Sequence, residues 1–394
     1  MAAAVSGEIT VTTFAAGLVW SGLLLIGYVY AGYPIILWIL TRFRHRPVFQ
    51  DDIVPGVTLL ISAFNEVRVI GSKLENALAL DYPHEQLEIL VVSDASTDGT
   101  DIIVESFAER GVKLLRMHER QGKTIGINAA VQQARGNIIV FSDANILYQK
   151  DAIRRLVRNF ADPKVGCVTG NSCYSENSQS SAHVQENTYW QYEQTIRALE
   201  SQMGSTVGGD GAIFAIRKDL YSPLPHDAIN DLVIPLQIVA RGYRAVFEPE
   251  AIGYEQSAGS YVSEFRRKRR IVNRSWHGVR SVPQVLDPRA VGIFAWQVWS
   301  HKVLRWLILP MVLGVAIGCF VAFPAGLIYR IGALGFVASV VIAGIGALAR
   351  TSIGGLSRVA QGLFYFYMVN LAAFMGIIAA MSGRVEVTWT PERR

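Results

Sequence analysis

The sequence predicts an α/β domain with a parallel sheet, set between α-helical transmembrane segments and joined to them by amphipathic interface helices. Three observations carry this expectation. The 394 residues are 51% hydrophobic and only 18% charged, with a mean hydropathy of +0.28, which is more apolar material than one soluble core uses. Residues 13–40 contain no charged side chain. Between residue 55 and about residue 250, short apolar runs alternate with helix-like stretches.

In chain order, the uncharged run from Thr13 to Leu40 exceeds the ~20 residues that cross a bilayer core, so residues 1–42 are expected to hold a transmembrane helix. The run is too long for a signal-peptide core and lacks a basic flank before it. Arg42, Arg44 and Arg46 follow at once, and the positive-inside rule puts this end, and the next domain, in the cytoplasm. A bacterial inner membrane fits that layout.

The cytosolic domain is expected over residues 55–255. VTLLIS (57–62), LEILVVS (87–93), VKLLR (112–116) and NIIVFS (137–142) read as strands, separated by segments long enough for crossover helices. Ligands of such sheets bind beyond the carboxyl ends of strands. Asn65 and Glu66 fall there after the first strand, Asp94 after the second, and Asp143 and Asn145 after the fourth.

Residues 256–302 mix Arg266, Arg267, Lys268, Arg269, Arg270, Arg274 and Arg280 with Phe265, Trp276, Trp296 and Trp299, the composition of amphipathic helices at a membrane surface. Contact with membrane lipids alone explains it; anion binding at an active site is the functional alternative. Residues 303–382 are apolar, and Arg330 and the stretch 350–358 divide them into spans near 303–329, 331–349 and 359–382. Four crossings from an outside N-terminus would leave the tail, 383–394, outside, whereas Arg384, Arg393 and Arg394 favour the inside. The two rules conflict, so one segment is expected to be re-entrant or interfacial, with the Gly-rich third the weakest span.

Other classes are excluded or disfavoured. Cys167, Cys173 and Cys319 form no framework and read as buried thiols in a reducing environment. GKT at 122–124 would end a phosphate-binding P-loop, but Met117 stands where its first Gly is needed. No paired Cys/His spacing supports zinc. The net charge of +5 clusters beside the membrane, so no nucleic-acid partner is expected.

Asp94 in VVSDASTDGT, Asp143 in FSDAN and Asp231 in INDLVIPLQIVARGY are the acidic residues that could carry chemistry. Any one of them could equally accept backbone hydrogen bonds in a turn or cap a helix. Their order on successive strand ends favours function. Taken with AFNE (63–66), SDASTDGT (93–100), RQGK with Asn128 downstream, DAN (143–145), GGDGAIFAIRK (208–218) and NDLVIPLQIVARGYR (230–244), they make residues 55 to about 280 resemble the membrane-bound inverting glycosyltransferases of family 2. These are relatives of the cellulose, hyaluronan and chitin-oligosaccharide synthases, with a GT-A, Rossmann-like fold.

The resemblance implies a UDP-sugar donor whose leaving diphosphate gains charge as the anomeric bond breaks. Asp143 and Asn145 would hold Mg²⁺ or Mn²⁺ there; Asn145 stands where the family usually has a second Asp. Asp94 would contact uracil, with Asn65 and Glu66 near the nucleoside, and Lys123 would pair with the diphosphate or sit solvated. Asp231 would be the general base for an acceptor hydroxyl. The family's Q-x-x-R-W aligns with residues 266–270, so only Arg269 is kept, as a diphosphate ligand, and Trp276 would have to replace the missing stacking platform. Gly209 and Asp210 would lie where the acceptor enters, Asp210 bonding a sugar or only its own turn. Tyr189, Trp190 and Tyr192 are expected to pack rather than stack on sugar, and residues 171–181 to form a loop.

The expected acceptor is a growing polysaccharide, with single addition to a lipid-linked glycan as the alternative. A non-catalytic adaptor that binds nucleotide or lipid is disfavoured, because both Asp143 and Asp231 are present. A homo-oligomer is compatible with the few membrane segments.

Overall fold

The computed structural model describes residues 2–174, 181–255, 261–348 and 355–385, without the side chains of residues 2–10, 174, 181–189 and 355–357. Eight strands form one sheet: β1 (Val57–Ala63), β2 (Leu87–Ser93), β3 (Val112–Arg116), β4 (Ile138–Asp143), β5 (Ile146–Tyr148), β6 (Val165–Tyr174), β7 (Ile213–Arg217) and β8 (Arg244–Glu255). The helices are α1 (Ala2–Gly27), α2 (Tyr33–Phe43), α3 (Ile70–Leu78), α4 (Thr100–Glu105), α5 (Lys123–Gln133), α6 (Ala152–Val157), α7 (Ser181–Met203) and α8 (Asn230–Ala240). They continue with α9 (Tyr261–Ser281), α10 (Pro288–Val291), α11 (Ile293–Val298), α12 (Leu304–Trp306), α13 (Ile308–Val321), α14 (Leu327–Leu348) and α15 (Gly355–Met381).

The strand order is β3-β2-β1-β4-β7-β6-β8-β5. The first four strands are parallel, as the sequence predicts. The expectation of an all-parallel sheet is corrected beyond them: β7 runs antiparallel to both β4 and β6, and β5 antiparallel to β8. The cause is topological, since β7 returns to the sheet after the long helix α7 and not through a crossover that would keep it parallel.

Both faces of the parallel half are covered, which is why its strands read as unbroken apolar runs. Alternate residues divide between two cores. Leu60, Leu90, Val92, Ile139 and Phe141 pack with Ile127 and Val131 of α5, while Leu59, Ile61, Ile89, Val91 and Val140 pack with Ile70 and Leu74 of α3. Register sets Ala63 beside Ser93 and Ser62 beside Asp143, so β1, β2 and β4 end at one level and their following loops share one edge.

Among the described residues, three helical runs, Val11–Phe43, Leu327–Leu348 and Arg358–Met381, are long and apolar enough to cross a bilayer, which makes this an integral membrane protein. A fourth run is broken: Ile293–Trp306 and Ile308–Val321 meet at 61°. The break thus falls in the first part of the C-terminal block, and the Gly-rich segment expected to be weakest is the continuous helix α14. The expected boundary at 302–303 falls inside the helical run 293–306. Small residues set the packing: a Cβ on Gly318 of α13 would lie 2.9 Å from the Ala15 carbonyl oxygen of α1.

Polar bonds fix α7 to the membrane helices. Glu200 accepts from the Tyr33 hydroxyl at 2.5 Å, and the His301 ring lies 2.8 Å from Glu200 and 2.9 Å from Glu193. Arg305 also donates to Glu193. These contacts seat the apolar helices directly beside the open edge of the sheet.

Candidate active site

The loops after β1 and β2 are laced together by short polar side chains. Asn65 takes the left-handed conformation, φ 54°, which Asn tolerates. Its Oδ1 accepts from the Thr97 amide at 2.8 Å. The Glu66 amide donates to Thr100 Oγ1 at 2.8 Å, and Asp98 accepts from the Val67 amide at 3.0 Å. Asn65 is therefore a loop organiser, whereas Glu66 lines a cavity of about 390 Å³.

Asp94 lines the same cavity and is 7% exposed. Its carboxylate accepts from the backbone amides of Gln121 at 2.8 Å and Gly122 at 2.9 Å. Gly122, with φ 91°, makes the turn that opens α5. Lys123 then points into the cavity, 2.5 Å from Asp143 Oδ1 and 3.5 Å from the Gly211 carbonyl. The solvated alternative for Lys123 is thus replaced by an ion pair with Asp143.

Asn145, two residues on, donates Nδ2 to Glu255 Oε1 at 2.9 Å, which leaves its carbonyl oxygen for another partner. Burial pushes the Glu255 carboxyl up to about 7, against the opposing pull of Arg267.

Asp231 sits in the first turn of α8, and the glycine segment wraps it. The Gly209 amide donates to the Asp231 carbonyl at 2.5 Å, and Gly208 has φ 87°. A Cβ on Gly211 would lie 2.9 Å from Asp231 Oδ2, so only Gly brings the chain this close. Asp231 Oδ1 is shut off from bulk solvent and has no hydrogen-bond partner. Burial raises the Asp231 pKa; Lys123 works against this, while Asp210 and Asp143 add to it. A carboxylate of raised basicity on a residue that lines the cavity is suited to accept a proton.

Asp210 has a different role. Its Oδ2 accepts from Ser172 Oγ at 2.7 Å, its Oδ1 from the Ala212 amide at 3.1 Å, and Arg197 lies 3.6 Å away. It organises the turn that shapes the cavity wall. Trp190 lines that wall, donates to the Ser172 carbonyl and carries the Arg197 guanidinium over its ring. Tyr192 instead bonds the Tyr30 carbonyl at 2.8 Å. Residues 171–174 belong to β6, while 175–180 and the Tyr189 side chain, also singled out in the sequence, lie outside the described residues.

The basic helix α9 requires a correction. At 3.6 residues per turn, Arg267, Arg270, Ile271 and Arg274 share the face that lines the cavity. Arg269 and Trp276, seven residues apart, share the other face and do not line it. That face packs on α15, where a Cβ on Gly376 would stand 2.6 Å from the Arg269 carbonyl oxygen. Trp276 lies 6.4 Å from the Trp306 ring and joins the core. Motif alignment misses the phase of the helix that decides which cation faces the ligand.

Glu264, beside Arg267 at 2.7 Å and Lys268 at 3.5 Å, is held down to about 2 by those cations, which outweigh its burial. Arg274 donates to Thr124 Oγ1 at 2.7 Å and to the Asp227 carbonyl at 3.3 Å, tying α9 to both α5 and the loop before α8. Glu255, Arg197, Glu193 and Lys302 also line the cavity, and the sequence reading does not name them. For Lys302 the signal was present, since a charge inside an apolar helical run marks function by default.

Residues 58–224 match the sequence model of glycosyl transferase family 2. A poly-beta-1,6-N-acetyl-D-glucosamine synthase of Staphylococcus aureus (strain COL) is 28% identical over 213 residues, 52% of this chain and 51% of the relative. A Staphylococcus epidermidis protein of the same name is 25% identical over 205 residues, 50% of this chain and 49% of its own. The chain thus spans about half the length of the curated relatives it matches. A mannosyltransferase from Pyrobaculum calidifontis, solved in complex with GDP-Man and Mn2+, has a TM-score of 0.70 at 23% identity, over 92% of this chain and 99% of that one. This establishes the shared fold. The chain carries a glycosyl transferase family 2 domain of GT-A fold with a mixed sheet, held among apolar membrane helices.

Proposed function

We propose that the protein transfers a sugar from a UDP-sugar to a hydroxyl of a growing β-linked polysaccharide at the membrane surface, with inversion at the anomeric carbon. One observation carries the reading: Asp231, enclosed by the glycine segment, lines the same cavity that Asp94, Lys123 and Asp143 line from the strand ends.

In the step proposed, the acceptor hydroxyl gives its proton to Asp231 as its oxygen bonds to the anomeric carbon from the face opposite the diphosphate. The bond from that carbon to the diphosphate oxygen breaks, and its electron pair leaves with UDP. Displacement on one face and departure from the other turn an α-linked donor into a β-linked product. Asp94 and Gly122 fix the turn that aims Lys123 at the diphosphate, while Glu66 lies beyond β1 on the nucleoside side. Arg267 and Arg270 face the leaving group from α9, in the place the sequence suggested for Arg269.

Asp143, on giving up its ion pair with Lys123, and Asn145 would be the oxygen ligands of Mg²⁺ or Mn²⁺. Asp143 offers a half-exposed carboxylate, and Asn145, its amide nitrogen occupied by Glu255, offers a carbonyl oxygen. A hard cation bound there supplies charge neutralisation for the diphosphate. Arg42, Arg44 and Arg46 at the end of the first span support a cytoplasmic catalytic domain, where nucleotide sugars are made.

The named product of the staphylococcal relatives makes UDP-N-acetylglucosamine the first donor to test. Membranes containing the protein, incubated with labelled UDP-sugars and Mg²⁺ or Mn²⁺, should form a large product from one donor. Asp231→Asn should bind donor normally and lose ~10²–10⁴-fold in turnover. Wild-type turnover in that variant would remove Asp231 as the base, and a small lipid-extractable product would replace polymerisation by single addition.

A further inference from the structure

We infer that the wall of the cavity nearest the membrane is an anion subsite for the acceptor, with Lys302 as its binding residue. This rests on the transfer reaction proposed above, though not on whether it is processive, and names the class of acceptor it uses.

Lys302 lies in a π-helical turn, Trp299–Val303, within the first arm of the broken membrane run. Such turns shift a side chain off the regular helical face and recur at functional sites. Lys302 lines the cavity, and among the described residues it makes neither a hydrogen bond nor an ion pair, although an ammonium has three protons to donate.

The carboxylates around it are already taken. Glu193 is held by His301 and Arg305, and Glu200 by Tyr33, His301, Thr206 and the Val207 amide. Asp210 is held by Ser172, Ala212 and Arg197. Asp231 lines the same cavity, and among the described residues Lys302 does not bond it. The cavity therefore holds a cation that is unpaired among the described residues and, on the same lining, the carboxylate proposed as the base.

One ligand satisfies both if it carries a hydroxyl for Asp231 and a negative group for Lys302. Arg197, on the same wall, adds to the positive field. The chemistry that fits is a sugar hydroxyl near a phosphate ester. Two sources share this chemistry: a lipid-linked sugar phosphate and a soluble one.

The test measures binding and transfer separately in detergent-solubilised full-length protein. The probes are polyprenyl-diphosphate-linked N-acetylglucosamine, soluble N-acetylglucosamine-1-phosphate and the neutral octyl N-acetylglucosaminide. The wild type should bind a phosphate-bearing probe at least about tenfold more tightly than the neutral one. Lys302→Met should erase that preference, Lys302→Arg should restore it, and the donor Kd should stay the same in all three proteins. Preference for the lipid-linked probe over the soluble one identifies the source. Equal binding of charged and neutral probes by the wild type, or a Lys302→Met change confined to donor affinity, would overturn the subsite. Because these are equilibrium measurements without donor turnover, they stand even if no sugar is transferred, an outcome that would count against the proposed reaction alone.

Discussion

The half of the site built on β1–β4 and the half built on β5–β8 with α7–α9 are made in opposite ways. In the first, Asp94 and Asn65 follow directly from strand ends, and their hydrogen bonds go to loops next to them on the same edge: Asp94 to the 121–122 turn, Asn65 to the Thr97 amide. In the second, the residues come from elements far apart in sequence. Asp231 is enclosed by the 208–211 segment, Arg274 spans to α5, and Glu193 and Glu200 are held by the membrane helices. The first half is set by local chain direction; the second exists only once the membrane helices dock.

This contrast can be broken at its rigid end first. Gly136 leads into β4 with no room for a side chain, because a Cβ there would meet the Val57 carbonyl carbon at 2.6 Å and the Thr58 amide nitrogen closer still. Backbone cannot step aside as a side chain can, so Gly136→Ala should cost about 3 kcal/mol, read as a loss of folded protein in a detergent thermal melt. An unchanged melting temperature would mean that the parallel half is more compliant than its register implies.

Lys73 tests the support behind the DAN turn. It is fully buried on α3, donates to the Ile146 carbonyl at 2.8 Å and lies 3.9 Å over the Tyr148 ring. Burial lowers its pKa to about 7, partly offset by Asp143. Between that pH and its ordinary value, the unfolded chain carries a proton that the folded one has shed. Stability from this group therefore rises as pH climbs from about 7 to 10 and is least below that window. Melts of the wild type and Lys73→Met across the window should show a slope of a few kcal/mol at most, present in the first and flattened in the second.

The smallest expected effect separates the two faces of α9. Arg270→Ala should raise the KM for the nucleotide sugar about tenfold, ~1.4 kcal/mol, while Arg269→Ala should change it less than about twofold. The reverse result would mean that the helix phase at the cavity is wrong and the motif alignment right.

Much of the first half was legible because its signals are local. The strands at 57–62, 87–93 and 112–116 are found where apolar runs place them, since residues buried on both faces must be apolar. A carboxylate just past such a strand end is fixed in space by the strand itself. Antiparallel β7 left no comparable trace, because a five-residue apolar run reads the same in either direction. Nor could motif spacing show that the Arg269 backbone lies against Gly376 of α15 and Trp276 beside Trp306 of α12, since this depends on which neighbours the helix packs against.

By itself, then, the sequence determined the apolar spans, the parallel strands and the polar residues at their ends, because period and hydropathy act within a few residues of chain. Only the tertiary structure decided the mixed sheet, the break at 61° in the fourth membrane run and the set of cations that line the cavity. It also paired Asn145 with Glu255 across 110 residues and set Lys302, unpaired among the described residues, and Asp231 along one cavity. Those outcomes depend on which charges find each other when distant elements dock, and a burial penalty or an open lone pair has no counterpart in the order of residues along the chain.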